Sequence, residues 1–239
     1  AAMIMPYSDQ PEHKGLLLHR EDKLKGLMQA AMEKGFQVNT HAIGDYANKI
    51  VLDLYEILIK KTDTKSLRHR VEHAQILQLE DIPRFKKLNV IASMQSTHAT
   101  SDKNMAEDRV GSNRILGGYA WRSLLDSGAI IASGSDFPVE SANPFYGLHA
   151  AVTRQDKQNL PEGGWYPKEK MNMVEALRSF TLDAAYAAHQ ESIIGSLEPG
   201  KFADFIMLNQ DIMTIDKSDI WKTKVEETWI NGRRVYKAN

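Results

Sequence analysis

Three residues of the kinds that bind metals or move protons close runs of strand-like sequence. His41 ends "QVNTH", His73 ends "HRVEH" and Asp136 ends "ASGSD". Two neutral imidazoles and a carboxylate form a donor set suited to zinc, and a carboxylate beside a metal-activated water can take up its proton. A second pattern overlaps the first: His69, Glu72 and His73 in "RHRVEHAQ" spell H-x-x-E-H, the inverted zinc-peptidase arrangement. That arrangement needs a helix, on which positions four apart share a face. On a strand the two histidines lie roughly 13 Å apart and cannot grip one ion. Any one strand-end histidine is more often a structural hydrogen-bonder than a ligand, and Asp136 before Phe137-Pro138 could cap a turn. Three such residues at the same end of successive strands are harder to dismiss, but spacing alone leaves both readings equally open.

The elements that must carry these residues alternate between helical and strand periods. "REDKLKGLMQAAMEKG" (20–35) places Leu24, Leu27, Met28 and Ala31 at helical spacing and stops at Gly35. "FQVNTHAI" (36–43) alternates, with Phe36, Val38, Thr40 and Ala42 on one face and Gln37, Asn39 and His41 on the other. "YANKIVLDLYEILIKK" (46–61) predicts a helix burying Ile50, Val51, Leu54, Ile57 and Leu58. "LRHRVEHA" (67–74) sits between two helical segments, which favours a strand there. A short helix at 79–88, with Pro83 in its first turn, leads to strand-like "VIASMQ" (90–95). A helix at 119–128 then precedes a buried strand at 129–136. This βα repetition predicts parallel strands covered by helices. Further on, 171–190 predicts one long helix with Asn172 and Glu175 as a capping box. Asn231-Gly232 between β-type runs predicts a type I′ hairpin.

With 239 residues, 42% hydrophobic and 26% charged, the chain has the make-up of an ordinary globular protein. A net charge of −1 without a basic run gives no footing for nucleic acid or an anionic membrane. No apolar stretch approaches the length of a membrane span. The absence of cysteine excludes disulfides, thiolate catalysis and Cys-type zinc sites.

"THAIGD" (40–45), "RHRVEHAQ" (68–75), "SMQSTHATSD" (93–102), "WRSLLDSGAIIASGSDFPVE" (121–140) and "GSLEPGKFADFIMLN" (195–209) together resemble the amidohydrolase superfamily. Within it the chain is most similar to amidohydrolase family 3, which includes the N-substituted formamide deformylases. The likeness runs from near residue 6 to the end, with the motifs in family order. It implies a metal-dependent hydrolase on a (β/α)8 TIM barrel, with a β-sandwich built from both chain ends. Carried over, His41 matches the metal histidine ending the fifth barrel strand and His73 the one ending the sixth. Asp136 matches the eighth-strand aspartate that binds metal and moves the proton of the attacking water. His98 and Asp102 fall in the loop after the seventh-strand match and are candidates for contacting substrate. His69 matches no ligand, and Arg68, Arg70 and Glu72 read as a structural charge cluster. The family's first-strand His-x-His pair occurs nowhere in the chain, and its fourth-strand lysine would lie upstream.

The resemblance therefore implies an α/β fold: the second half of the barrel, strands 5–8, over residues 1–190, and C-terminal strands of the sandwich over 191–239. The expected activity is hydrolysis of non-peptide C–N bonds (amide, formamide or cyclic amide) by a metal-activated water, with one or two divalent ions, zinc by preference. Two alternatives stand beside it: an H-x-x-E-H metallopeptidase, and a catalytically inert truncated domain. The expected partners are a small-molecule substrate and either a second copy or a missing N-terminal half. Nucleic acid and membrane are not expected. The chain by itself is expected to be inactive. The compartment stays open with the cytoplasm favoured, since any export signal would lie upstream of residue 1.

Overall fold

The computed structural model describes residues 1–239, which pack into two compact units. The first comprises Ala1–Met94 and Asp102–Ile131, the second Gln95–Ser101 and Ala132–Asn239.

In the first unit, α1 (Glu21–Glu33) buries Met28 and Met32, carries Glu21 and Asp22 in its first turn, and stops before Gly35 at φ 78°. β1 (Asn39–Ala42) alternates as expected, with Thr40 and Ala42 buried and Asn39 and His41 exposed. α2 (Asp45–Thr62) has Asp45 in its first turn, Lys60 and Lys61 in its last, and Asp63 as a left-handed cap. Its buried stripe is centred on Leu54 and Leu58, with fully buried Tyr55 on one flank. Ile57, expected inside, lies beyond the other flank and is 51% exposed. β2 (Arg70–His73), α3 (Ile82–Leu88, with Pro83 in its first turn) and β3 (Ile91–Met94) follow. β1 pairs with β2 and β2 with β3, both parallel.

The H-x-x-E-H pattern is thereby a strand preceded by a buried histidine, and the helical peptidase reading falls. His69 is only 1% exposed and stacks on Tyr55, with ring centroids 5.4 Å apart and planes 11° apart. Its Nδ1 accepts the Val38 N–H at 3.0 Å, so the ring proton sits on Nε2, 3.2 Å from Thr64 Oγ1. The Tyr55 hydroxyl lies 2.9 Å from the Val38 carbonyl, 2.8 Å from that of Arg70 and 2.9 Å from Thr40 Oγ1. Both side chains thus join the starts of β1 and β2.

Burial pushes the His69 pKa down to about 4. The unfolded chain takes up this proton below about pH 6.5, whereas the folded protein resists it until about pH 4. Stability is therefore whole above about pH 6.5 and falls as the pH drops toward 4, by roughly 3 kcal/mol in all. Urea midpoints between pH 7 and 4.5 should fall more steeply for the native protein than for His69→Gln. Equal slopes would remove His69 as the source.

Between β3 and β4 (Ile131–Ser133) the chain forms α4 (Ser96–Asp102), α5 (Ala106–Arg114) and α6 (Trp121–Asp126). His98 and Asp102, expected in a loop, thus stand on a helix. The sheet order is β1-β2-β3-β4, and the Ala92 N–H reaches the Ile130 carbonyl at 3.0 Å. β4 is shorter than the expected strand at 129–136: it ends at Ser133, and Asp136 lies in the turn beyond.

In the second unit, α7 (Pro144–Thr153) starts at Asn143, whose side chain accepts the Phe145 N–H. The helix expected over 171–190 is two helices, α8 (Met173–Phe180) and α9 (Leu182–Ala187). They part at Thr181, at φ −124° and ψ −91°, whose hydroxyl bonds back to the Leu177 carbonyl. The Asn172–Glu175 capping box is present in both directions. β5 (Phe205–Leu208), β6 (Val225–Ile230) and β7 (Arg233–Lys237) form an antiparallel sheet in that order. Asn231 and Gly232 both have positive φ, 49° and 72°, as a type I′ turn requires. No helix is long and apolar enough to cross a membrane.

Candidate metal centre

β1 and β2 run side by side, with His41 opposite Glu72 and Ala42 opposite His73. On two regular strands, residues opposite each other face the same way and neighbours alternate. His73 would then share the buried side of Ala42, away from His41. It does not: its φ is 77°, outside the β region, and Ala74 follows at 45°. That left-handed pair re-aims the ring, and the His41 and His73 imidazoles meet edge to face with centroids 4.5 Å apart. Left-handed backbone on residues with a Cβ costs about 1–3 kcal/mol each and persists where the surroundings enforce it.

Those surroundings are polar bonds in the first unit. The Ile76 N–H donates to the Ile43 carbonyl at 2.9 Å. Asn48, fully buried on α2, points its Nδ2 at the carbonyls of Ala42, Ile43, Gly44 and Ile76 at 3.0–3.3 Å. Gln75 donates through Nε2 to Asp102 Oδ2 at 2.9 Å and to the Tyr119 hydroxyl at 2.7 Å. The Tyr119 hydroxyl donates to the same Asp102 oxygen at 2.5 Å. The Leu77 N–H meets the Gly117 carbonyl at 2.9 Å, and a Cβ on Gly117 would stand 1.9 Å from the Leu77 carbonyl oxygen, so only glycine fits.

Two imidazoles on one ion, with metal–nitrogen bonds of about 2.1 Å at a tetrahedral angle, place their centroids about 5 Å apart. The His41–His73 contact fits that requirement. Along the outer edge of β1 runs a groove of about 590 Å³, lined by Leu17, Leu24, Leu27, Met28, Val38 and His41 among others.

In the second unit His98 and Asp136 come together, with Nε2 3.8 Å from Oδ2 and side chains 12% and 39% exposed. Asp136 is another left-handed residue, at φ 57°. Beside them Ser101 donates to Glu140 at 2.5 Å. Within the first unit His41 lies beside His73, and Asp102 beside Gln75 and Tyr119; within the second, His98 lies beside Asp136. Arg70 and Glu72 pair at 3.2 Å, as a structural charge cluster should. Arg68 contributes its carbonyl, which accepts from Gln37. Sequence reasoning passed over Asn48, Gln75 and Tyr119. Gln75 lies two positions after His73, but no periodicity distinguishes it.

The chain has clear relatives among known proteins. The pattern described as "Amidohydrolase family" (family 3) matches residues 1–236. Protein LONG AFTER FAR-RED 3 of Arabidopsis thaliana is 36% identical over 96% of the chain, and the match spans 39% of that protein. N-substituted formamide deformylase of Arthrobacter pascens is 27% identical over 92% of the chain, across 40% of the enzyme. A crystal structure of an uncharacterized metal-dependent hydrolase from Pyrococcus horikoshii superposes with a TM-score of 0.78 at 30% identity, covering 91% of this chain and 43% of that one. The chain spans about two fifths of the length of these relatives, and it belongs to amidohydrolase family 3.

Proposed function

We propose that the activity to which this chain contributes is metal-dependent hydrolysis of amide-type C–N bonds in small molecules. In this reading His41, His73 and Asp136 are metal ligands, Asp136 also moves protons, and His98 meets the substrate. The observation that carries the reading is the edge-to-face contact of His41 and His73 at neighbouring strand ends, brought about by non-β backbone at His73. Family membership and the likeness to a formamide deformylase and a metal-dependent hydrolase support it. The parallel strands then correspond to strands 5–8 of a (β/α)8 barrel within residues 1–190, and β5–β7 to sandwich strands within 191–239.

A divalent ion held there, zinc by the donor set, supplies Lewis acidity. The two imidazoles serve as neutral donors. The Asp136 carboxylate accepts a proton from the attacking water and returns it to the departing nitrogen, so acid and amine leave with no net change on the protein. Partner association belongs to the same proposal: β1 is an edge strand beside an apolar groove, a surface that association through the sheet would cover.

The test is a chelator-treated full-length protein assayed on a panel of formamides, N-acyl amines and cyclic amides, before and after zinc is restored. Activity should vanish and return, with one or two ions per chain. Turnover indifferent to the chelator, or cleavage of peptides alone, would overturn the reading. Residues 1–239 by themselves should associate in sedimentation and show no turnover. A monodisperse monomer with amidase activity would refute that part.

A further inference from the structure

We infer that Asp102 is a positioning residue for His73, acting through Gln75 and Tyr119 rather than by touching the substrate. The inference rests on the reading of His73 as a metal ligand.

The three side chains form a closed triangle in which every hydrogen has one direction. Gln75 Nε2 has two hydrogens and donates to Asp102 Oδ2 and to the Tyr119 hydroxyl. The Tyr119 hydroxyl then spends its single hydrogen on Asp102 Oδ2. One carboxylate oxygen therefore ends both paths, and a side chain that cannot accept two such bonds leaves one donor without its partner. The backbone closes the same loop, since the Tyr119 N–H donates to the Gln75 carbonyl at 2.7 Å. One step further on, Ile76 bridges antiparallel to Gly118. Gln75 is thus held at both its side chain and its carbonyl.

What that hold determines is the conformation just before it. His73 and Ala74 are consecutive left-handed residues, and Tyr119, inside the triangle, is a third at φ 51°. The chain is held at His73, which the β2 ladder still pairs with Ala42, and again at Gln75 in the triangle. A chain pinned at both ends of a two-residue span has little freedom to relax into the extended form. Relaxation would return the His73 ring to the side of Ala42 and away from His41. The carboxylate is remote from His73 in sequence, yet it governs the direction of that ring.

The experiment uses the full-length protein, zinc-loaded and metal-free, with Asp102→Ala, Asp102→Asn and Tyr119→Phe. Zinc affinity is read by competition with a chelator, and the His73 ring by its Cε1–Hε1 resonance in the metal-free protein. Asp102→Ala should weaken zinc binding about 10- to 100-fold, the range for loss of a group that orients a ligand. It should also displace the His73 resonance, while Asp102→Asn, which keeps one acceptor, should recover part of both. Unchanged zinc affinity together with an unmoved His73 resonance would overturn the inference. So would a raised KM with unchanged zinc affinity, since Asp102 would then touch the substrate. If the native protein holds no zinc, the function proposed above fails, and the metal-free resonance still decides the role of Asp102. If Asp102→Ala does not fold, Tyr119→Phe, which removes one hydroxyl and keeps the buried ring, answers by the same two readings.

Discussion

Asp136→Asn should leave the full-length enzyme folded and at least partly metal-loaded, yet slow it by about 10²-fold or more, the range for loss of a general base. Asparagine keeps an oxygen in the same place and can still offer it to an ion, but it cannot take up a proton and hand it on. The backbone should tolerate the change, because Asp136 sits at φ 57° and asparagine is among the residues most at ease there. The site is open enough for water, with the Asp136 side chain 39% exposed. His98, 3.8 Å away, carries no second carboxylate function with which to compensate. The measurement is kcat alongside zinc content. A near-native rate with full metal would remove Asp136 from the mechanism.

Replacing the two histidines of "RHRVEHAQ" should separate them cleanly. His73→Ala should abolish metal binding, because it removes one of the two imidazoles that meet at the strand ends. His69→Ala should leave binding largely intact and instead destabilise the fold by about 2–4 kcal/mol, through a lost buried ring and an unpaired N–H. The stacking on Tyr55 disappears with the ring, and the Val38 N–H loses its acceptor. Metal analysis and denaturant titration of both variants would show the split. Equal loss of metal from both would refute the assignment of His73 alone as the ligand.

The features legible in the sequence were those decided locally. The capping box at Asn172 and Glu175, the Asn231-Gly232 turn and the stop of α1 before Gly35 each depend on residues a few positions apart. The strands that carry His41 and His73 were legible for the same reason, since alternation and flanking helices set them, although β1 runs one residue past His41 to Ala42. What escaped was decided at a distance. "STHATSD" is poor in helix formers and reads as a loop, but it forms α4 with Ser96, Thr97, Ala99 and Thr100 buried, so packing overrides propensity. β4 ends at Ser133, whose hydroxyl bonds to Ser179, forty-six residues on. The ring direction of His73 depends on backbone that alternation would forbid. Its supports, Gln75, Asp102 and Tyr119, are up to forty-four residues apart.

One turn of α2 holds two residues of nearly the same shape and opposite chemical sense. Asp45 accepts the Ile4 N–H at 2.9 Å, while Asn48 offers its amide nitrogen to four carbonyl oxygens. Spontaneous deamidation, the slow ageing reaction of asparagine, exchanges that nitrogen for an oxygen and leaves the outline of the side chain unchanged. At Asn48 the product would be a buried carboxylate facing four carbonyl dipoles, all negative end first. A buried charge set against such surroundings costs several kcal/mol, of the order of ~3–5. The carbonyls concerned are those that join the ends of β1 and β2. Chemical ageing at a residue that never meets a ligand would therefore be felt first at the spacing of His41 and His73.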